Sequence, residues 1–167
     1  MTPETKKVIW LSVCLLFAIT LQSTFADSIQ IQGVKPDIIL TLALVGAMFC
    51  DGNGGALLGF IAGLFFAAIA SPPAGFGAII ISRTLGGFGV GWLGEHLFRE
   101  NLKLAIPIVM GGTILTEALF FVIAPQANIP LWIRHTLGNS LYNAVLTIPV
   151  YLLLKRLIGR VSEFEYS

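Results

Sequence analysis

The chain has 167 residues, of which 56% are hydrophobic and 11% are charged, and its formal net charge is +1. Soluble domains carry about 25% charged residues, which they need to cover their surface. This composition therefore excludes a soluble enzyme and a soluble nucleic-acid-binding protein. Because one membrane crossing takes ~20 residues, about six crossings would use most of the chain, which predicts a single membrane domain over residues 1–167.

Apolar runs follow one another along the chain and predict an all-α, polytopic integral membrane protein built as a six-helix bundle. The first run could also be a cleavable signal peptide, with Thr24 and Ala26 as its small residues, but the later runs favour an uncleaved span. The second and third runs are short, so we expect them to thin the bilayer locally or to form a re-entrant hairpin. The predicted spans are residues 8–25, 36–50, 56–70, 78–98, 104–123 and 137–154.

The stretches between these runs are predicted to lie outside the spans. Residues 51–55 are rich in glycine and join the second span to the third, and Pro72 and Pro73 end the third span. Residues 124–136 contain two prolines and a tryptophan, which predicts a loop or a short helix at the membrane interface.

The basic residues are distributed unevenly between the two sides of this arrangement. With the N-terminus in the cytoplasm, two basic residues face outward, Lys35 and Arg134, and Arg83 lies within a span. The seven that face inward are Lys6, Lys7, Arg99, Lys103, Lys155, Arg156 and Arg160. Cytoplasmic loops carry an excess of Lys and Arg, so this distribution predicts that both termini are cytoplasmic.

Two charged residues lie at similar depth within the predicted spans. At 1.5 Å per residue, Arg83 lies about 7.5 Å below the outer start of its span and Glu117 about 9 Å below the outer end of its own. An unpaired arginine in hydrocarbon costs at least ~2.5 kcal/mol, so Arg83 is expected to contact an anion. Glu117 is the anion of matching depth.

Further polar side chains fall in the same outer third of the membrane, and with the two charges they form a predicted outer polar cluster. Asp37 stands at the outer start of the second span, and Gln22 near the outer end of the first. The cluster has two interpretations: a pocket that receives a ligand, a lipid headgroup or a partner side chain, or a structural ion pair that fixes helix packing. Its members are Asp37, Arg83, Glu117, Asn139 and Asn143.

Glycines recur at four-residue spacing in two of the spans. Gly55, Gly59 and Gly63 place small residues along one face of the third helix, and Gly87 and Gly91 repeat the spacing in the fourth. Such faces allow another helix to approach closely, either within the bundle or from a partner protein. No metal-ligand spacing, catalytic triad or phosphate-binding loop is present in the sequence. The sequence therefore predicts a protein that is not an enzyme and that holds no metal or cofactor.

Several segments resemble MreD, the small membrane subunit of the bacterial rod-shape (cell elongation) system. They are residues 33–40, which read GVKPDIIL, residues 55–64, which read GALLGFIAGL, and Gly77 a short loop later. Leu21 and Gln22, and the run 141–143, also fit the MreD pattern. The family often carries an aspartate shortly after the third-span Gly-Leu, where this chain has residues 65–68 (FFAA), so no role of that acid is carried over.

The resemblance implies a non-enzymatic scaffold of the cell inner membrane that maintains rod shape. Its expected partner is an MreC-like bitopic protein, and through it a RodA-like glycosyltransferase, a penicillin-binding transpeptidase and an MreB-like filament, which together place peptidoglycan synthesis. Membrane lipids are expected contacts and nucleic acid is not. The fold implied by the resemblance is similar to the substrate-binding subunits of energy-coupling-factor transporters.

Two other functions stay open at this point. A substrate-binding subunit of an energy-coupling-factor micronutrient transporter would share the fold, but such subunits typically show alanines four apart in the first helix, where this chain has only Cys14 and Ala18. An enzyme acting on lipid would need a nucleophile or an acid pair with an aqueous path, for which Asp37 and Glu117 are the available acids.

Overall fold

A computed structural model describes residues 3–26, 28–70, 75–96 and 101–163. Over these residues the chain forms six α-helices and no strand, which confirms the predicted all-α architecture. The helices are α1 (Pro3–Phe25), α2 (Ile38–Ala47), α3 (Gly52–Ala70), α4 (Phe76–His96), α5 (Leu102–Ile123) and α6 (Ile129–Glu163). Residues 97 and 98, at the end of the predicted fourth span, lie outside the described residues, as do Pro72, Pro73 and Arg99.

Within the described ranges, five helices are long and apolar enough to cross a membrane, and α2 is the exception. The protein is therefore a multi-pass membrane protein. Helices α1, α3 and α5 end where α4 and α6 begin, and we call this the pocket end of the bundle. We call the opposite end the basic end, because Lys6, Lys7, Lys103, Lys155 and Arg156 lie there.

Helix α2 is the centre of the bundle. Its ten residues rise about 15 Å, half the thickness of a bilayer core. Every residue from Ile39 to Ala47 is buried, and α2 contacts each of the other five helices. A helix that is apolar on all sides is stable only when protein surrounds it on all sides. The predicted second span, residues 36–50, is thus a half-length helix preceded by an extended segment.

The third span is longer than the sequence indicated. Helix α3 begins at Gly52 because Asp51 caps it, its carboxylate accepting from the Gly54 amide at 2.7 Å. The three glycines that we expected to form a loop, Gly52, Gly54 and Gly55, are therefore all helical. With 19 residues α3 crosses the bilayer unaided, so neither a locally thinned bilayer nor a re-entrant hairpin is needed for it.

The expectation of a loop or separate interfacial helix over residues 124–136 is wrong for its second half, because α6 begins at Ile129. Asn128 caps this helix, accepting from the Leu131 amide at 3.0 Å. Pro130 lies in the first turn, where an amide hydrogen has no partner within the helix, so it starts the helix and does not break it. Trp132, His135 and Thr136 consequently lie on a membrane helix.

The glycine stripes form the seam between α3 and α4. A Cβ on Gly59 would lie far inside van der Waals contact with the Arg83 carbonyl oxygen, and one on Gly55 would collide with the Gly87 carbonyl oxygen. A Cβ on Gly63 would lie 2.8 Å from the Ile80 Cα, and one on Gly91 would lie 2.6 Å from the Asp51 carbonyl oxygen. Both stripes therefore serve contacts within the chain, and the partner-facing interpretation of these glycines is wrong.

We expect Gly59→Ala to destabilise the bundle, because the new methyl group meets backbone that cannot rotate away. Overpacking of this kind typically costs about 1–3 kcal/mol. The matched control is Gly111→Ala in α5, where a Cβ meets nothing within 4 Å. Thermal unfolding in detergent should show a lower melting temperature for Gly59→Ala than for Gly111→Ala. Equal melting temperatures for the two variants would contradict the close packing of α3 on α4.

Candidate binding site

A buried ion pair joins the start of α2 to α4. Both terminal guanidinium nitrogens of Arg83 donate to the carboxylate of Asp37, with Nη1 at 3.3 Å from Oδ1 and Nη2 on Oδ2. Each of the two residues is only 4% exposed. The Phe66 ring covers the guanidinium, with Arg83 Cζ 3.9 Å from the ring centre, which adds a cation–π contact.

This pair corrects the predicted partner of Arg83. Among the described residues, the acid within ion-pair distance of Arg83 is Asp37, while Glu117 lies further away, within electrostatic range of both. The prediction compared depths along full-length spans. The second helix starts at Ile38, well inside the bundle, which brings Asp37 from the expected membrane surface down to the level of Arg83.

Asp37 also holds the start of α2 in place. Its Oδ1 accepts from the Leu40 amide at 2.8 Å and so caps the helix. Its own amide donates to Asn143 Oδ1 on α6 at 3.1 Å, and Asn143 in turn donates to the Thr113 hydroxyl on α5 at 3.2 Å. Helices α2, α4, α5 and α6 thus meet in one hydrogen-bonded network.

Helix α1 joins this network through a single amide side chain. Gln22 donates through Nε2 to the Pro36 carbonyl at 3.0 Å and accepts through Oε1 from the Ile38 amide at 2.7 Å. These two bonds satisfy backbone groups on both sides of Asp37, where the chain is extended and has no helical partners. The Gln22 that the sequence placed near the outer end of the first span therefore supports the start of α2.

A tight turn closes the pocket end in front of α2. Ile31 and Val34 exchange backbone hydrogen bonds of 3.0 and 2.9 Å, and the two residues between them have positive φ, 51° at Gln32 and 81° at Gly33. Two positive φ values in sequence are typical of a type I′ turn, and glycine adopts the second without strain. Arg134 on α6 holds the turn by donating to the Gln32 carbonyl at 3.2 Å.

A cavity of about 330 Å³ lies between this turn and the ion pair. Its floor is Arg83 and Asp37, and its mouth includes Gly33 and Lys35, both exposed. Glu117 on α5 and a row of side chains on α6 form the walls, with Phe66 and Phe120 as aromatic lining. Its size and mixed lining are typical of small-molecule sites in proteins.

Several polar atoms of this cavity have no hydrogen-bond partner within the protein. Over the described part of the chain, the buried side-chain atoms in this state are Trp132 Nε1, Thr136 Oγ1 and Asn139 Oδ1, and all three residues line the cavity. Glu117 on α5 lines the same cavity as these three residues. Because buried polar groups are nearly always hydrogen-bonded, these atoms mark where a ligand or water would bind.

The structure brings the predicted outer polar cluster together. Asp37, Arg83, Glu117 and Asn139 line the cavity, and Asn143 lies beneath it on the Asp37 amide. Sequence reasoning missed Trp132, His135 and Thr136 because it placed them outside the spans. Their spacing offered a signal, since residues 132, 136, 139 and 143 follow one helix face. In the part of the chain that the structure describes, no group of three or more His, Cys, Asp or Glu could hold a metal ion.

Comparison with protein-family models, with curated proteins and with solved structures finds nothing that matches this chain.

We expect Asp37→Asn to destabilise the protein strongly. Asparagine can still cap α2, so the change removes the charge of the pair and leaves the Arg83 cation buried alone, which typically costs about 3–5 kcal/mol. Adding Arg83→Gln to Asp37→Asn should recover part of this loss in thermal unfolding. Glu117→Gln is the control and should cost less than Asp37→Asn. The assigned pair would be contradicted if the stability losses of Asp37→Asn and Arg83→Gln added in the double variant and Glu117→Gln cost as much stability as Asp37→Asn.

Proposed function

We propose that this chain is a membrane scaffold of the bacterial cell-elongation machinery, similar to MreD, which gives an MreC-like bitopic partner a surface on which to dock. The observation that carries the proposal is that the two segments that resemble MreD both contact Arg83. Segment 33–40 supplies Asp37, the ion-pair partner of Arg83, and segment 55–64 supplies Gly59, which lies against the Arg83 carbonyl oxygen. Both short motifs thus contribute to the surroundings of Arg83, which supports treating them as parts of one MreD-like pattern.

A scaffold role is also supported by how little of the described chain lies outside the helices. Helices and short connections account for the described residues, and large apolar side chains of α1 and α6 are exposed where lipid or another membrane protein would cover them. Such a chain acts on other membrane-inserted chains. Through an MreC-like partner it would connect to a RodA-like glycosyltransferase, a penicillin-binding transpeptidase and an MreB-like filament, and so help to position peptidoglycan synthesis.

The docking surface has to lie away from the α3–α4 seam. A groove of about 460 Å³ runs between α4 and α5, lined by Gly89, Gly111 and Pro107 among apolar side chains. A Cβ on Gly111 would meet nothing within 4 Å, so this small residue opens the groove toward the membrane. In lipid, small residues select helix partners by allowing close approach. We assign the transmembrane helix of the partner to this groove.

The proposed location is the bacterial cytoplasmic membrane, with both termini in the cytoplasm and the pocket end facing outward. Of the basic residues whose side chains are described, five lie at the basic end, while Lys35 and Arg134 lie at the pocket end. The positive-inside rule supports this orientation.

The second candidate function is the substrate-binding subunit of an energy-coupling-factor micronutrient transporter. The cavity with its unpartnered polar atoms favours it. The first helix disfavours it, because Ala18 is 1% exposed and faces the core, so it is not available for docking to a coupling subunit.

Orientation is tested by single cysteines in a background without Cys14 and Cys50. Asn53 and Ala127 are both exposed, at the basic end and the pocket end respectively. A membrane-impermeant thiol reagent added to intact cells should label a cysteine at position 127 and should label one at position 53 only after lysis. The reverse pattern would contradict the proposed orientation.

Function is tested by depleting the protein in its native host and imaging the cells. We expect loss of rod shape, with rounding or lysis, and rescue by the unaltered protein. Gly111→Leu, whose Cβ meets nothing within 4 Å and whose side chain would occupy the groove, should fail to rescue and should lose the MreC-like partner on co-purification. Gly75→Leu is the control, because a Cβ on Gly75 also meets nothing within 4 Å and Gly75 does not line the groove. Unchanged shape with impaired uptake of one micronutrient would favour the transporter subunit.

A further inference from the structure

We propose that the cavity at the pocket end binds a primary ammonium group, carried by a small amine or by a lipid headgroup, with the nitrogen held between α5 and α6. This goes beyond a scaffold role and does not depend on it.

The charges around the cavity favour a cation at its centre. Arg83 is matched by Asp37 in a two-bond pair, so the guanidinium is already neutralised. Lys35 lies exposed at the mouth. Among the described residues lining the cavity, Glu117 is the carboxylate with no cation within ion-pair distance. Glu117 is half-buried, and a carboxylate partly removed from water is stabilised by a compensating positive charge or a proton.

The hydrogen-bonding groups specify which cation fits. Thr136 Oγ1 and Asn139 Oδ1 lack partners and stand one turn apart on α6, while the Glu117 carboxylate faces the same cavity from α5. These are three oxygen acceptors, and a primary ammonium has three N–H donors. A quaternary ammonium has none, so it would leave the same oxygens unpartnered.

Trp132 adds a requirement on the rest of the ligand. Its indole N–H has no partner in the protein and can only donate, and Trp132 lies one turn before Thr136 on α6. An N–H group that can only donate suits an oxygen of the ligand, as a hydroxyl or a phosphate a few atoms from the amine. Ethanolamine and the headgroup of phosphatidylethanolamine both have this arrangement.

Purified protein separates the possibilities. Ethanolamine should raise the melting temperature and give a measurable binding isotherm, whereas ethylene glycol, which replaces the amine by a hydroxyl, and choline, which lacks N–H donors, should not. Glu117→Gln should weaken ethanolamine binding by about tenfold or more, since it removes a charged hydrogen bond. Thr136→Val should weaken it less. Glu95→Gln, an exposed acid at the basic end, is the matched control and should leave binding unchanged.

Nanodiscs distinguish the source of the amine. If a headgroup is the ligand, phosphatidylethanolamine should stabilise the unaltered protein relative to phosphatidylcholine, and Glu117→Gln should remove that difference while Glu95→Gln keeps it. A free amine is the ligand if ethanolamine acts equally in both lipids. The proposal is overturned if neither primary-amine probe has an effect, if choline or ethylene glycol acts as well as ethanolamine, or if Glu117→Gln binds like the unaltered protein.

Discussion

A guanidinium and a carboxylate buried together in the membrane set the conditions for the rest of this structure. Arg83 and Asp37 are each 4% exposed, and neither charge could remain at that depth without the other. Asp37 reaches Arg83 only because the chain ahead of α2 stays extended, and an extended segment exposes backbone groups that need partners. Gln22 and Asn143 supply them from α1 and α6. The ion pair therefore explains why amides occur on membrane helices at these positions.

Much of this architecture could be predicted from the sequence, because it depends on hydrophobic runs and on the depth of polar residues within them. The helical class, the membrane location and the grouping of the polar cluster follow from such patterns. The ion-pair partner of Arg83 could not be predicted in this way. The depth of each charged residue was counted along a span of full length. Helix α2, however, begins two residues later than expected and occupies half a span. The apolar sequence of residues 38–47 does not reveal this.

The predicted helix boundaries were also wrong at glycine and proline, because each of these residues occurs both in loops and within membrane helices. The glycines of residues 52–55 are typical of a loop, yet they lie in α3, where the backbone of α4 leaves no room for a side chain at Gly55. Pro130 is typical of a helix break, yet in a first turn it costs no hydrogen bond. In both cases a capping side chain starts the helix, Asp51 for α3 and Asn128 for α6. The site residues on the first turns of α6 were missed for the same reason.

The short central helix also bears on how the protein is made. A ten-residue helix cannot leave the translocon as an independent span, because it covers only about half of the hydrocarbon core. The side chains that fix its start are synthesised much later: Arg83 follows Asp37 by 46 residues, and Asn143 follows it by 106. The start of α2, although made early, therefore obtains its complete set of hydrogen bonds only after α6 has been synthesised.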